Sequence, residues 1–450
     1  CTIVHYFGLT SVMLGIAVVL PIIVIPFYPS EVSSALWFIK PAVAAVIFGL
    51  IIARLFKKHE KLDLSVTHCS IIVVLAWAFA CIIGSFPFIL SGKYAFLQAL
   101  FESVSGWTGT GLTVTNTETV PHTILLWRDL MQYLGGAGFA VIMLTIMSGP
   151  ASVGFYNAEG HPNELLPYAK SSAILVMKIY LFFLTSGSVV LTIAGMPFFD
   201  SVCHTMAALG TGGYSTKNAS IGFYNSFRIE FVVIILMCIG QTSFTFHHYF
   251  FQGKWRSVLR SSEFRTFFFL IFIYISLVTF TTTIPMFVKS SFDLTRLFSA
   301  QPYYSELFEA VRKATFEVVS SISGTGFTTA CLTDWPSIGL FLMIIAMCSG
   351  GQTNSTSGAI KQLRLYLIFR SVWWAIRDTF SPRSAVNFNS FYRGDEKTYV
   401  NSGHLRELFN FVTIYIFSLV VGSAIIMTCL LYTSDAADDL LCVDLGGRRI

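Results

Sequence analysis

Nine predominantly apolar stretches, each long enough to cross a bilayer core of about 30 Å, constrain this chain more than any other feature. They are Ile3–Phe27, Ala35–Leu55, Val66–Leu90, Ile124–Met147, Ser172–Met196, Ile229–Phe251, Phe264–Val288, Ile338–Ile376 with an interruption, and Leu408–Leu431. Composition agrees: 54% of the residues are hydrophobic and 12% are charged, against about 25% charged in a soluble domain. A water-soluble globule of this length lacks the polar surface it would need. The expected class is an all-α polytopic membrane protein.

Basic residues fall in alternate loops. Arg54, Lys57, Lys58 and Lys61 form one cluster, and Lys254, Arg256, Arg260 and Arg265 a second. The third runs from Lys361 through Arg364, Arg370, Arg377, Arg383, Arg393 and Lys397 to Arg406. Together they hold 16 of the 29 Lys and Arg. The positive-inside rule places all three in the cytoplasm, and the N-terminus with them. The first apolar run is too long for the core of a cleavable signal peptide.

The opposite loops carry an internal repeat. Three short helical segments, Phe96–Gly106, Phe198–Ala208 and Leu307–Ser321, are too short to span and lie between spanning helices on the outer side. A Gly/Thr strand follows each: Gly109-Thr110-Gly111-Leu112-Thr113, Gly210-Thr211-Gly212-Gly213-Tyr214-Ser215-Thr216, and Gly324-Thr325-Gly326-Phe327-Thr328. Aligned on the residue that follows the glycine, Gly213 matches Gly111 and Gly326. Aligned on Gly-Thr-Gly, Gly212 matches instead. The first alignment is preferred because an aromatic and then a hydroxyl residue follow Gly213; its spacings are 102 and 113 residues. The unit is helix, re-entrant helix, strand, helix, and a pseudo-fourfold set of such units around a central pore is expected, with the fourth incomplete. The expected divisions are an N-terminal helix pair at 1–61, pore repeats at 62–160, 161–260 and 261–400, a first helix of a fourth repeat at 401–432, and a tail at 433–450.

A cation leaving water in a membrane needs oxygen ligands in place of its hydration shell. Backbone carbonyls supply them where glycine permits the necessary dihedral angles, and threonine adds hydroxyl oxygens. Irregular backbone is tolerable at membrane depth where it lines a water-filled cavity. A re-entrant helix aims the negative end of its dipole at the ion. The candidate filter residues are Thr110, Gly111, Leu112, Gly212, Gly213, Tyr214, Thr325, Gly326 and Phe327. A single Gly-Thr-Gly would read as a turn or a helix-packing site; three copies after matching helices favour a filter. Glu102 and Glu317 occupy equivalent places in two of the short helices. They either add negative potential at the mouth or serve as partners of loop backbone groups.

The eighth apolar stretch is broken by Ser349–Ala359, a polar and flexible segment following the third strand. Gly350, Gly351, Asn354, Ser355, Thr356 and Gly358 are candidate gate residues; the bland alternative is a packed kink. The nine cysteines are scattered without CxxC spacing and read as apolar filler. No resident cofactor or structural metal is expected, and no nucleic-acid partner. His247-His248 is the best enzymatic candidate, but adjacent residues on a helix face different ways, so no enzymatic role is expected. A solute transporter of inverted repeats is a further alternative, disfavoured because these repeats run parallel.

These residues resemble the Trk/Ktr/HKT superfamily of K⁺ transport proteins, and the bacterial Trk-type membrane subunit most closely. The resemblance covers nearly all of residues 1–430. It is carried by Ser105–Thr115, Gln132-Tyr133-Leu134-Gly135-Gly136, Thr211–Ser220, Gly324–Thr329 and Gly350–Lys361. It implies potassium uptake across a bacterial inner membrane, with filter glycines at Gly111, Gly213 and Gly326 and a gating loop at Gly350–Ala359. A first-repeat Gly rather than Ser implies K⁺ preference, with Na⁺ or H⁺ as alternative or coupled ions in symport. It also implies a homodimer and a cytoplasmic nucleotide-binding regulatory subunit. A Na⁺-permeable member of the superfamily is the nearest alternative. Two departures stand out. Asn354 and Ala359 replace the family's usual glycines, which would stiffen the loop. The fourth strand expected near 426–441 is replaced by TSDAADDLLCVDLGGRRI at Thr433–Ile450, which resembles a translated sequencing adapter and is expected to be foreign.

Overall fold

The fold was described from a computed structural model. The structure describes residues 2–57, 66–138, 169–291, 300–332, 335–382, 388–394, 396–400 and 402–433. The tail expected to be foreign lies outside the described residues from 434 onward, as do 139–147 of the fourth apolar stretch.

The described chain is almost wholly helical, and it divides into two compact units. The first comprises Cys1–His247, Val319–Ala330 and Asn354–Ser357. It opens with α1 (Thr2–Val19) and α2 (Ala35–Leu55), joined by 3₁₀ turns. Glycines let these two helices touch through backbone: a Cβ on Gly8 would lie 2.7 Å from the Ala53 nitrogen, and one on Gly49 2.5 Å from the Gly8 carbonyl. Small residues at a crossing are the usual means of packing helices where lipid offers no hydrophobic drive.

Helices α3 (Val66–Leu90), the short α4 (Phe96–Thr108) and α5 (His122–Gly136) follow, then α6 (Ala169–Ile193), the short α7 (Phe198–Leu209) and α8 (Phe227–Gln241). Helix α9 (Phe244–Phe251) leaves α8 at 105°, so the expected straight span Ile229–Phe251 is broken. The cause is local. Thr242 is extended, and the backbone groups released there are paired elsewhere: the Asn354 carbonyl accepts from Phe244 N at 3.0 Å, and the Gly240 carbonyl from Thr356 N at 3.3 Å.

The second unit comprises His248–Val318, Cys331–Thr353 and Gly358–Ile450. It contains α10 (Trp255–Arg260), α11 (Ser262–Ser291), most of α12 (Ala300–Ser323), α13 (Ser337–Cys348), α14 (Gln362–Phe380) and α15 (Ser402–Thr433). The third short helix was expected over Leu307–Ser321; α12 is longer, at 24 residues. The extra turns are polar, which hid them from an apolar search. A short hairpin, β1 (Ser390–Arg393) with β2 (Glu396–Tyr399), adds to the all-α expectation. Gly394 turns with φ +61°, Tyr392 N donates to Ser262 Oγ at 3.1 Å, and the Arg260 guanidinium lies 4.6 Å from the Tyr392 ring centre. Leu367, Trp374, Phe391 and Leu408 form the small core around the hairpin.

Among the described residues, six helices are long and apolar enough to cross a membrane, or seven if the bent α8–α9 pair counts as one span. The sequence suggested nine. The interrupted stretch Ile338–Ile376 resolves into the 12-residue apolar α13 and the 19-residue α14, and the arginines of α14 lower its hydropathy. Helix α5 is described only to Gly136.

The candidate pore site

Three strands repeat one local geometry. At the end of α4, Gly109 N donates to Gly106 O and Thr110 N to Ser105 O. At the end of α7, Thr211 N donates to Ala208 O and Gly212 N to Ala207 O; after α12, Gly324 N donates to Ser321 O and Thr325 N to Ser320 O. This pair of bonds is the Schellman helix stop, which needs a left-handed residue. Gly109 (φ +68°), Thr211 (φ +51°) and Gly324 (φ +71°) supply it. Two residues later, Gly111 (+82°), Gly213 (+75°) and Gly326 (+84°) again have positive φ.

The register of the second strand follows. Gly213, not Gly212, has the conformation of Gly111 and Gly326. The Gly210-Thr211-Gly212 triplet is out of step by one residue. Gly210 keeps helical angles (φ −74°), and its glycine serves packing, since a Cβ there would lie 2.5 Å from the Gln132 carbonyl.

The strands lie side by side. A Cβ on Gly111 would sit 2.1 Å from the Gly212 carbonyl, and one on Gly213 1.9 Å from the Thr325 carbonyl. Each of these glycines therefore abuts the carbonyl preceding the next strand's glycine. Gly326 meets nothing within 4 Å among the described residues. The Leu112 carbonyl accepts from Ser105 Oγ at 2.6 Å and the Phe327 carbonyl from Ser320 Oγ at 2.7 Å. Tyr214 and Phe327 are buried; Leu112 is half exposed. Beyond the strands, Asn218 bridges to Asn116 and Thr117, and Gly222 N donates to the Thr328 carbonyl.

Glu102 is fully buried. Its Oε1 accepts from Thr113 Oγ1 (2.7 Å), Val114 N (2.6 Å) and Thr115 N (3.1 Å), and its Oε2 from Arg128 Nε (3.2 Å). The carboxylate is thus tied to the loop that follows the first strand and to a guanidinium. Glu317 is also buried. The equivalent place in the second repeat, 102 residues after Glu102, is His204, whose Nε2 lies 2.9 Å from Ser215 Oγ. Ser215 is in turn the equivalent of Thr113. His204 escaped attention in the sequence, although the 102-residue spacing points to it.

Two further residues, both on α5, were missed as site residues. Arg128 donates to Thr113 Oγ1 (2.8 Å) and the Ser215 carbonyl (3.3 Å) and lies 4.1 Å from the Tyr214 ring centre. Gln132 donates to the Gly212 carbonyl at 2.7 Å and accepts from Tyr214 N at 2.9 Å. Outside the second strand, Tyr224 donates to Asp200 Oδ2 at 2.8 Å; burial and that carboxylate push its phenol pKa up, keeping it a donor.

The polar segment between α13 and α14 is folded, not open. Its ends form a parallel bridge, with Gly350 N donating to Ile360 O and Ile360 N to Cys348 O. Asn354 (φ +61°) and Ala359 (φ +58°) are both left-handed, the conformation that glycine adopts most readily. In the first unit, Thr356 Oγ1 contacts the carbonyls of Leu209 (2.9 Å) and Gly240 (2.8 Å), and Ser357 Oγ donates to Ser323 O (2.7 Å). These hydroxyls satisfy orphan carbonyls at the ends of α7 and α12. Gly350 packs against Gly358, whose carbonyl would lie 2.0 Å from an added Cβ.

The family model TrkH, cation transport protein, matches residues 38–438. This chain belongs to the TrkH cation transport family. It is 30% identical over 388 residues to an uncharacterized cation transporter of Methanocaldococcus jannaschii, covering 85% of this chain and 75% of that protein. It is 32% identical over 326 residues to the Trk system potassium uptake protein TrkH of Escherichia coli K12, covering 70% of this chain and 64% of that protein. The crystal structure of the potassium transporter TrkH from Vibrio parahaemolyticus superimposes with a TM-score of 0.77 at 24% identity, covering 93% of this chain and 84% of that one. The fold is therefore that of a helical membrane transporter, and the family is not an enzyme family. The His247 Nε2 lies 3.0 Å from the Ile239 carbonyl, and the rings of Phe183 and Phe244 lie near its imidazole.

Proposed function

We propose that this TrkH-family chain takes up potassium ions across the cell membrane, with Gly111, Gly213 and Gly326 and their neighbours forming the selectivity filter. One observation carries the reading. Three strands, each released from a helix by the same stop and each bent at a glycine, meet backbone to backbone. Such strands bring several carbonyl and hydroxyl oxygens together without a bulky side chain between them, which a dehydrated cation requires. Relatives named as Trk system potassium uptake proteins support K⁺ as the ion.

The segment Gly350–Ala359 is the gate in this reading. Its hydroxyls hold helix ends that lead into the second and third strands, so its release would free the inner ends of both. Assembly as a homodimer, docking of a cytoplasmic nucleotide-binding subunit on the basic loops, symport with Na⁺ or H⁺, and residence in a bacterial inner membrane with a cytoplasmic N-terminus complete the proposal.

The test is growth and ion uptake in a bacterial strain that lacks its own K⁺ uptake systems and expresses this protein. Rescue at low K⁺, weakened or shifted toward Na⁺ by Gly111→Ser, is expected. Membrane-inserted protein that moves no cation would overturn the proposal in favour of a solute transporter. Equal K⁺ and Na⁺ flux would make it the Na⁺-permeable kind.

A further inference from the structure

We infer that Gln132 is the positioning residue that aims the carbonyl of Gly213 and so sets ion discrimination at the second strand, an inference that rests on the filter reading above. The second strand is chemically the odd one. Its neighbours carry threonine before the filter glycine, and each hydroxyl is tied to the helix end: Thr110 to Thr108 and Thr325 to Ser323, both at 2.7 Å. The equivalent second-strand positions are Gly212 and Gly210, which offer neither hydroxyl. The space of the missing side chain is filled from the first repeat. A Cβ on Gly212 would lie 2.3 Å from Gln132 Cδ.

The amide of Gln132 straddles Gly213. It donates to the carbonyl before that glycine and accepts from the amide after it, as an adjoining strand would. Peptide groups are planar and trans, so C=O and N–H of one peptide point opposite ways. With Tyr214 N held toward Gln132, the Gly213 carbonyl of that same peptide faces away from Gln132. Glycine alone would not hold this orientation, because its backbone crosses between wells at little cost. The clamp supplies the restraint.

The placement of Gln132 is itself rigid. It is fully buried, and α5 touches the end of α7 through backbone: a Cβ on Gly136 would lie 2.7 Å from Gly210 Cα. No small shift of α5 could bring a shorter side chain into reach.

The experiment compares K⁺, Rb⁺ and Na⁺ flux through the full protein, reconstituted in liposomes, for wild type, Gln132→Glu and Gln132→Leu, with inserted protein quantified. Gln132→Glu keeps size and the acceptor for Tyr214 N but loses the donor to Gly212 O; Gln132→Leu loses both. A fall in the K⁺/Na⁺ flux ratio of about tenfold is expected, larger for Gln132→Leu, with a raised KM for K⁺ per inserted protein. Reduced amount or maximal flux at an unchanged ratio in either variant would overturn the inference, as would failure of both to insert, since either outcome makes Gln132 merely structural. Wild-type protein that moves no cation, or moves K⁺ and Na⁺ alike, would instead overturn the K⁺-filter reading itself.

Discussion

Arg128 and Glu102 form an ion pair, Nε to Oε2 at 3.2 Å, with side chains 1% and 0% exposed. The pair joins the short helix of the first repeat to its following helix. Through Ser215 and the Tyr214 ring, the same guanidinium also reaches the second strand. A buried charge that loses its partner is expensive, about 3–5 kcal/mol. Glu102→Gln is therefore expected to lower the thermal midpoint of the purified protein sharply. Arg128→Lys should do nearly as much, because an ammonium cannot serve the carboxylate, Thr113 and Ser215 from one planar fork. Thermal unfolding in detergent checks both. A midpoint unchanged in Glu102→Gln would mean the charges are solvated and the pair is incidental.

Gly109 and Gly111 make an internal control for the strand geometry. Both have positive φ, so alanine at either incurs the left-handed penalty of about 1–2 kcal/mol. They differ in space: an added Cβ finds its nearest neighbour at 3.8 Å from Gly109 but at 2.1 Å from Gly111, against the Gly212 carbonyl. Gly109→Ala is expected to lose modest stability and keep its ion preference. Gly111→Ala must push the second strand aside and is expected to lose K⁺ uptake or its selectivity. Competition uptake of K⁺ against Na⁺ distinguishes them; equal behaviour would show that the strands are not in contact.

What could be read from the sequence was what is local. The repeat was legible because a helix stop and a bend two residues on are set within about ten residues, and Gly109, Gly111, Gly324 and Gly326 spell both. The second strand was ambiguous because Thr211 supplies the helix stop without glycine while Gly210 is a glycine for packing, so a false Gly-Thr-Gly arises one residue early. Gln132 and Arg128 act across the fold: Gln132 meets its strand 80 residues away, and Arg128 the Ser215 carbonyl 87 residues away. Nothing in their own neighbourhood announces that. The break after Gln241 was hidden for the same reason: its carbonyl and amide groups are satisfied by Asn354 and Thr356, more than a hundred residues later.

Ala359 and Gly350 bear on the stiffness of the polar segment. Ala359 is held at φ +58°, a conformation that costs an L side chain about 1–2 kcal/mol. Ala359→Gly is expected to raise the thermal midpoint slightly, since relief of that strain exceeds the entropy glycine adds to the unfolded chain. Gly350→Ala, with a Cβ 2.0 Å from the Gly358 carbonyl, is expected to open the bridge between the segment's ends. Hydrogen exchange at Gly350 N and Ile360 N reads this directly. Faster exchange in Gly350→Ala and slower in Ala359→Gly is the expected pattern, and the reverse order would refute the strain assignment.

Thr356 gives the sharpest test of the gate. Its hydroxyl lies within hydrogen-bonding distance of two carbonyls, Leu209 at the end of α7 and Gly240 in the last turn of α8. Its amide N–H also donates to Gly240. Thr356→Val keeps shape and branching but removes the hydroxyl, leaving the Leu209 carbonyl without that donor. Loss of a donor to a buried acceptor costs about 1–3 kcal/mol, paid by the closed arrangement alone if the segment moves away during conduction. The closed population should then fall, and basal K⁺ flux at constant protein should rise severalfold, with the K⁺/Na⁺ ratio unchanged because the strands themselves are untouched. Flux through liposomes measures both quantities together. Unchanged basal flux would make the segment a fixed brace beneath α7, and a changed ratio would mean that it shapes the filter directly.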